Sequence, residues 1–391
     1  MALLRPSSCV TLSCSTLKTL LLLLISSAFM VTATAAGFVA RISYSGSVLS
    51  PLFIASNISI GTPAQPQRLL ISTDSASYIL VRCTHDAGFF NPRLSSSFVY
   101  LKRGDLVTPR PRRSDRLAMD TFLLRSSRGR WIAIPKVTFA CTSSILGLGY
   151  SGIASLTPTK QGLPAQLRVR KFAYCLPSSS TDQPTPLLLG NVPYTFLMSP
   201  VSFDISQYLA RAKLYVNHNS GSFSVNLKNI TIEGEPLGLK SPLKLRISSM
   251  DPFTKIPGGI YRRMRSIFLK KAAARGMKIV QSHPPFDTCF NSSSIGFSRV
   301  GPAAPPMELE LTGVGGKDVG WSVFGFNSIV SVSDEKSCWA FLDGGAQTHS
   351  TSVLGTFQQQ GNFFEFDLQN STLGFSGHLN FFRTSCSNFA F

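Results

Sequence analysis

Two short stretches, Leu69-Leu70-Ile71-Ser72-Thr73 and Leu245-Arg246-Ile247-Ser248-Ser249, decide how this chain is read. Each is an apolar strand running into a pair of small hydroxyl side chains, and they stand about half a chain length apart. Each is followed, later in its own half, by an apolar turn with a Gln-containing segment: Gly152 to Leu167 in the first half, Val353 to Gln360 in the second. A repeat of that period implies a pseudo-twofold protein of two lobes, with a boundary within Met198 to Asp204.

Outward from these stretches the pattern is one of strands. Short apolar or alternating runs bounded by Gly, Pro, Ser and Asn cover Phe53 to Ile60, Arg68 to Ser72, Trp131 to Thr138, Gly221 to Leu227, Leu243 to Ile247, Trp321 to Val332 and Phe363 to Leu368. They predict a mainly β protein. One helix interrupts it. After Pro257, residues Ile260, Tyr261, Met264, Ile267 and Phe268 form one apolar stripe, with Arg262, Arg263, Arg265, Lys270 and Lys271 on the solvated side.

Composition sets the class. Of 391 residues, 43% are apolar and only 15% charged, which excludes a disordered tail or a coiled coil and suffices for a core. With 38 Lys+Arg against 19 Asp+Glu the formal charge is +19, which favours anionic partners without specifying a fold. Basic residues are not interleaved with aromatics on a nucleic-acid module, so nucleic acid is not an expected partner.

Residues 1–36 carry the signs of a leader. Lys18 precedes an apolar run from Leu20 to Val31, which ends in the small residues Ala33, Thr34, Ala35 and Ala36. The run is short for a membrane span of about twenty residues. The mature chain is expected to be secreted, extracellular in the apoplast or cell wall, and free of the membrane once the leader is removed. Cys83, Cys141, Cys175, Cys289, Cys338 and Cys386 remain beyond it, an even set that reads as disulfides, with about fifteen connectivities open at this point. Sequons at Asn57, Asn229, Asn291 and Asn370 predict glycosylated, exposed turns. No metal constellation is found, since His85, His218, His283, His349 and His378 share no ligand spacing, and no cofactor motif is present.

Asn57-Ile-Ser-Ile-Gly-Thr-Pro-Ala-Gln65, Leu117-Ala-Met-Asp-Thr-Phe122 and Lys171-Phe-Ala-Tyr-Cys-Leu176 resemble the first lobe of plant pepsin-like aspartic proteinases. Val353-Leu-Gly-Thr-Phe-Gln-Gln-Gln360, Phe366-Asp-Leu368 and Leu373-Gly-Phe-Ser376 resemble that family's last strands. More specific are Phe286-Asp-Thr-Cys-Phe290, Arg299-Val-Gly-Pro302, Trp321-Ser-Val-Phe-Gly-Phe-Asn-Ser328, Phe341-Leu-Asp-Gly-Gly345 and Thr384-Ser-Cys-Ser-Asn-Phe389. These resemble the branch of basic 7S globulins, extracellular dermal glycoproteins and cereal xylanase inhibitors. The resemblance implies an all-β, two-lobed pepsin-like fold with a cleft between lobes and a few short helices. It divides the chain into a signal peptide, 1–36, an N-terminal lobe, 37–200, and a C-terminal lobe, 201–391. By family pattern it pairs Cys83 with Cys141, Cys175 with Cys386 and Cys289 with Cys338.

Such proteinases carry Asp-Thr-Gly or Asp-Ser-Gly once per lobe, because two carboxylates about 3 Å apart share one proton and hold the attacking water. Both motifs are altered here. Counting forward from Gly61 puts the first Asp on Ser72, whereas counting back from Cys83 puts it on Thr73; in the second lobe Ser248 stands where Asp would. A serine hydroxyl does not ionise in the working range of a proteinase and cannot be the general base. The lid segment Val107 to Asp115 holds two prolines instead of a Gly-rich tip, and Gly152 to Pro158 replaces the Gly-rich turn behind the first catalytic loop.

Three functions follow from the resemblance. The chain is expected to be a proteolytically inactive, monomeric binding protein that inhibits glycoside hydrolases, with Arg383 and His378 as candidate blocking groups at the surface. An active endopeptidase would instead need Asp74 and Asp251 as its acids; their bland alternative is turn residues bonding their own backbone. A basic wall or storage glycoprotein would be held to acidic polysaccharide by Arg110, Arg112, Arg113, Arg116, Arg125, Arg128 and Arg130.

Overall fold

The structure is a computed structural model that describes residues 37–74, 76–102, 115–143, 149–198, 201–217, 221–346 and 352–391. The leader, residues 107–114 of the lid with Arg110, Arg112 and Arg113, and His218 and His349 lie outside the described residues.

The repeat seen in the sequence is a repeat of strand pairing. In the first half the strand Gln65–Ser72 runs parallel to Gly152–Ser155, which is antiparallel to Leu80–Arg82, itself parallel to Trp131–Thr142. In the second half Leu243–Ile247 runs parallel to Val353–Leu354, which is antiparallel to Thr254–Ile256, itself parallel to Phe341–Asp343. Both hydroxyl clusters therefore leave the end of a strand gripped by a parallel neighbour. Parallel pairs require such long crossovers, which explains the wide sequence spacing of the echo.

The two halves meet in a common sheet. Phe38–Ser47 pairs with Thr185–Leu189, which pairs with Lys171–Cys175. The last strands of the chain complete it, as Phe363–Asp367 pairs with Lys171–Cys175 and Thr372–Phe375 pairs onward with Ala210–Lys213. Aromatic side chains seal this junction: Phe172 stacks on Phe366 at 4.6 Å and Phe223 lies 5.1 Å from Phe366. Met198 to Asp204, the expected boundary, spans a hairpin of Thr195–Met198 with Val201–Asp204.

The helix Gly258–Ala274 buries Tyr261, Met264, Phe268 and Ala272, with Trp339 stacked on Phe268 at 4.7 Å. Its basic face is partly paired, with Lys270 and Lys271 against Glu235 and Arg265 against Asp287. The run Trp321 to Val332 is not one strand. A turn of helix, Gly325–Ser328, separates Val319–Val323 from Ile329–Ser331, because Gly325 sits against the Pro302 backbone, where a side chain would collide.

Three disulfides join Cys83 to Cys141, Cys175 to Cys386 and Cys289 to Cys338. The sequons do not all fall on exposed turns. Asn57 and Asn229 are half-buried within strands, Asn57 in a left-handed conformation at a break in register, and Asn291 ends the strand Cys289–Asn291. Asn370 alone among them is exposed on a turn, where its amide donates to Asp367. Among the described residues no helix is long and apolar enough to cross a membrane.

The bridge Cys175–Cys386 closes the longest loop of the three, so Cys386→Ala is expected to cost about 2 to 5 kcal/mol. Limited proteolysis should then release the tail after Phe375 faster than in the parent; equal resistance would show that packing of Phe389 and Phe196 holds the tail unaided.

Candidate functional site

The two hydroxyl clusters meet. Thr73 N donates to Ser249 Oγ at 3.0 Å and Ser249 N donates to Thr73 Oγ1 at 3.1 Å. Each hydroxyl then donates across to the other strand: Thr73 Oγ1 to the Ile247 carbonyl at 3.2 Å, and Ser249 Oγ to the Ile71 carbonyl at 3.0 Å. The exchange is symmetric, so Thr73 and Ser249 are equivalent positions in the two halves. Ser72 and Ser248 are then equivalent, as are Asp74 and Met250.

By this symmetry Ser72 stands opposite Ser248, in line with the forward count from Gly61, and Asp74 stands opposite Met250. Ser72 and Ser248 are both fully buried, and neither can supply a carboxylate. Ser248 Oγ accepts from Met250 N at 3.1 Å and Asp251 N at 2.9 Å, so its oxygen shapes the turn of its own loop.

Asp74 and Asp251 are not simple turn residues. Both are paired with Arg246, Asp74 through Nη1 and Asp251 through Nη2 at 3.2 Å, and Asp251 also meets Lys255 Nζ at 2.7 Å. The Asp74 side chain is only 2% exposed, so its charge depends on that guanidinium. Arg246 thus stands between the carboxylates of the two halves. It helps to favour Asp251 in the ionised form, whereas a catalytic pair must share a proton. Burial raises the Asp251 pKa, but Lys255, Arg246 and the bond from Ser248 outweigh it and hold the carboxyl below its ordinary 3.8.

Each loop is braced from behind, in a different way. In the first half Ser155 Oγ and Thr157 Oγ1 donate to the Ala76 carbonyl at 2.6 and 3.2 Å, and Thr159 Oγ1 donates to the Ser77 carbonyl. This hydroxyl ladder takes the place of the Gly-rich turn that the resemblance implied. In the second half the Gln359 amide donates to the Ser248 carbonyl at 2.7 Å, while Tyr174 donates to Gln359 Oε1 at 2.6 Å. Arg246 and Gln359 were not singled out from the sequence. A signal existed for Arg246, the one charged residue between Leu245 and Ile247, immediately before the altered motif.

The two candidate blocking groups part company. Arg383 is exposed, held in a left-handed conformation at the end of the turn Leu379–Phe382, and joins no ion pair among the described residues. Its neighbours are anchored, Thr384 Oγ1 to the Leu197 carbonyl and Cys386 by its disulfide. His378 is not at the surface. It is 6% exposed, its ring lies 20° from parallel to Phe326 at 5.0 Å, its Nδ1 accepts from Asn380 N, and burial pushes its pKa down to about 4. A neutral imidazole walled in beside Gly361 cannot be presented to a partner. Among the described residues no group of three or more His, Cys, Asp or Glu is placed to hold a metal ion.

Comparison with known proteins gives the family and the fold. Residues 108–191 match the family model described as xylanase inhibitor N-terminal and residues 222–377 the one described as xylanase inhibitor C-terminal. The chain is 32% identical over 320 residues to the probable aspartic proteinase GIP2 of Nicotiana benthamiana, covering 73% of this chain and 71% of that one. The crystal structure of EDGP superposes with a TM-score of 0.78 at 26% identity over 92% of this chain and 98% of that one. Basic 7S globulin from soybean superposes with a TM-score of 0.73 at 20% identity, over 91% and 99% of the two chains, which speaks for the two-lobed pepsin-like fold alone.

Arg246→Met should leave the buried Asp74 carboxylate without its cation, while Asp251 keeps Lys255, and should lower stability by about 2 to 4 kcal/mol in urea unfolding; a change under about 0.5 kcal/mol would show that the clamp is not formed in solution. The pH dependence has a definite sign. Because the folded pKa of Asp251 lies below the unfolded one, its contribution is fully present above about pH 4 and is lost as the pH falls through the folded pKa. Asp251→Asn should therefore flatten the acid limb of the thermal-stability profile while leaving its neutral-to-alkaline shape unchanged.

Proposed function

Because the chain belongs to the plant aspartic-proteinase-like family that includes basic 7S globulins and xylanase inhibitor-like proteins, we propose that it is a secreted, extracellular binding protein without proteolytic activity whose partner is a glycoside hydrolase. The observation that carries the first half of this proposal is the pair Ser72 and Ser248 at the acid positions, with the nearest carboxylates tied to one guanidinium. A serine hydroxyl at these two positions does not ionise in the working range of a proteinase and so does not take a proton from water. The pseudo-twofold scaffold, freed from that chemistry, serves to hold surface loops.

The second half is supported by the family models and by Arg383. Glycoside hydrolases work with two carboxyl groups roughly 5 to 9 Å apart, an anionic cleft that a guanidinium fits by bidentate pairing. Arg383 is exposed and without an ion pair among the described residues, on a loop tied down by Thr384 and Cys386. A preformed cation spends little conformational entropy on insertion.

Two measurements test this. Purified protein should leave acid-denatured haemoglobin intact between about pH 2.5 and 5. Cleavage that a statine-type inhibitor blocks would restore the endopeptidase alternative built on Asp74 and Asp251. Against a panel of microbial endoxylanases and endoglucanases the protein should inhibit at least one, and Arg383→Ala should weaken that inhibition about tenfold or more. Inhibition untouched by Arg383→Ala would remove this residue from the interface, and no inhibition across the panel would remove the hydrolase as partner.

A further inference from the structure

The hairpin formed by Arg116–Arg125 and Trp131–Thr142 ends in a tip with an unusual surface. Arg125, Arg128 and Arg130 at the tip, and Lys136 further along the second strand, are all exposed, and none of them joins an ion pair among the described residues. The only acidic residue in either strand, Asp120, is 1% exposed and accepts from Ser97 and Thr121, so it does not offset the tip. Trp131 stands directly opposite Arg125 in the register and is 52% exposed, although indole is among the side chains most readily buried. Residues directly opposite in an antiparallel pair share a face, so the indole and the Arg125 side chain form one continuous surface.

The tip is also fixed in place. Ser126 Oγ accepts from Arg130 N at 3.1 Å, Arg125 Nε donates to the Gly129 carbonyl, Ser127 N donates to the Gly37 carbonyl, and Ile132 and Ile134 pack inward on the core. Guanidinium groups carried on a backbone so held present paired N–H donors to carboxylates, and a flat exposed indole beside them offers a face for an apolar ring surface. A chain of linked uronic acid units carries both features, a carboxylate and a ring face on each unit. We infer that this hairpin tip is a binding site for an acidic, uronate-containing polysaccharide, separate from the Arg383 loop and independent of the hydrolase proposal.

The test uses the full chain and immobilised polygalacturonate, with neutral dextran and phosphatidylserine vesicles as comparators. Replacing Arg125, Arg128 and Arg130 by Gln should weaken polygalacturonate binding about tenfold or more near physiological salt, and Trp131→Ala alone should weaken it severalfold. Lys240, Lys244 and Lys317, exposed and also without ion pairs among the described residues, provide a control that removes the same charge elsewhere. Changing these three to Gln should alter binding less than about twofold. Equal losses in the two triple variants would show diffuse charge attraction and overturn the site. An unaffected Trp131→Ala variant would overturn it as well, and so would vesicle binding that depends on the tip while polygalacturonate binding does not. Hydrolase inhibition should survive all of these changes.

Discussion

The crossed hydrogen bonds between Thr73 and Ser249 are the constraint on which the rest of the molecule turns. Four bonds link the backbone of one half to the hydroxyl of the other and the hydroxyl to the opposite strand, all in a fully buried setting. Each is worth about 1 kcal/mol net, but losing one partner strands a buried N–H or C=O at a larger cost. Hydroxyl residues are therefore required at these two positions whether or not the protein cleaves anything. The adjacent positions hold Ser72 and Ser248, and the Ser248 oxygen accepts from Met250 N and Asp251 N within its own loop.

Arg246 shows what a core of this kind does with the charges that remain. A buried carboxylate at Asp74 is tolerable only beside a cation, and Arg246 serves it and Asp251 together. The result joins the halves at a point where a proteinase must keep a proton mobile. Stability and catalysis make opposite demands on the same carboxylates: one wants both ionised against a guanidinium, the other wants one proton between two. The arrangement here satisfies the first demand.

Two cationic surface elements then differ in kind. Arg383 sits alone on a braced loop, suited to a narrow anionic cleft. The hairpin tip spreads Arg125, Arg128 and Arg130 beside an exposed indole, suited to an extended anionic chain. Their chemistry is shared, but their geometry is not, and one can be lost without the other.

Much of this was legible in the residues. Strand periodicity, the half-chain echo, the stripe of Tyr261, Met264 and Phe268, and the paired hydroxyl clusters are local patterns of side-chain polarity, which a linear chain displays openly. What the chain could not display was partnership across long separations. Which hydroxyl of the first half faces Ser249 is a contact between residues 176 apart. That Asp74 and Asp251 share one arginine, that His378 is walled in by Phe326, and that Asn57 and Asn229 lie within strands depend on packing around each group. Residue type sets which interactions a side chain can make; only the folded backbone decides which of those partners comes within reach.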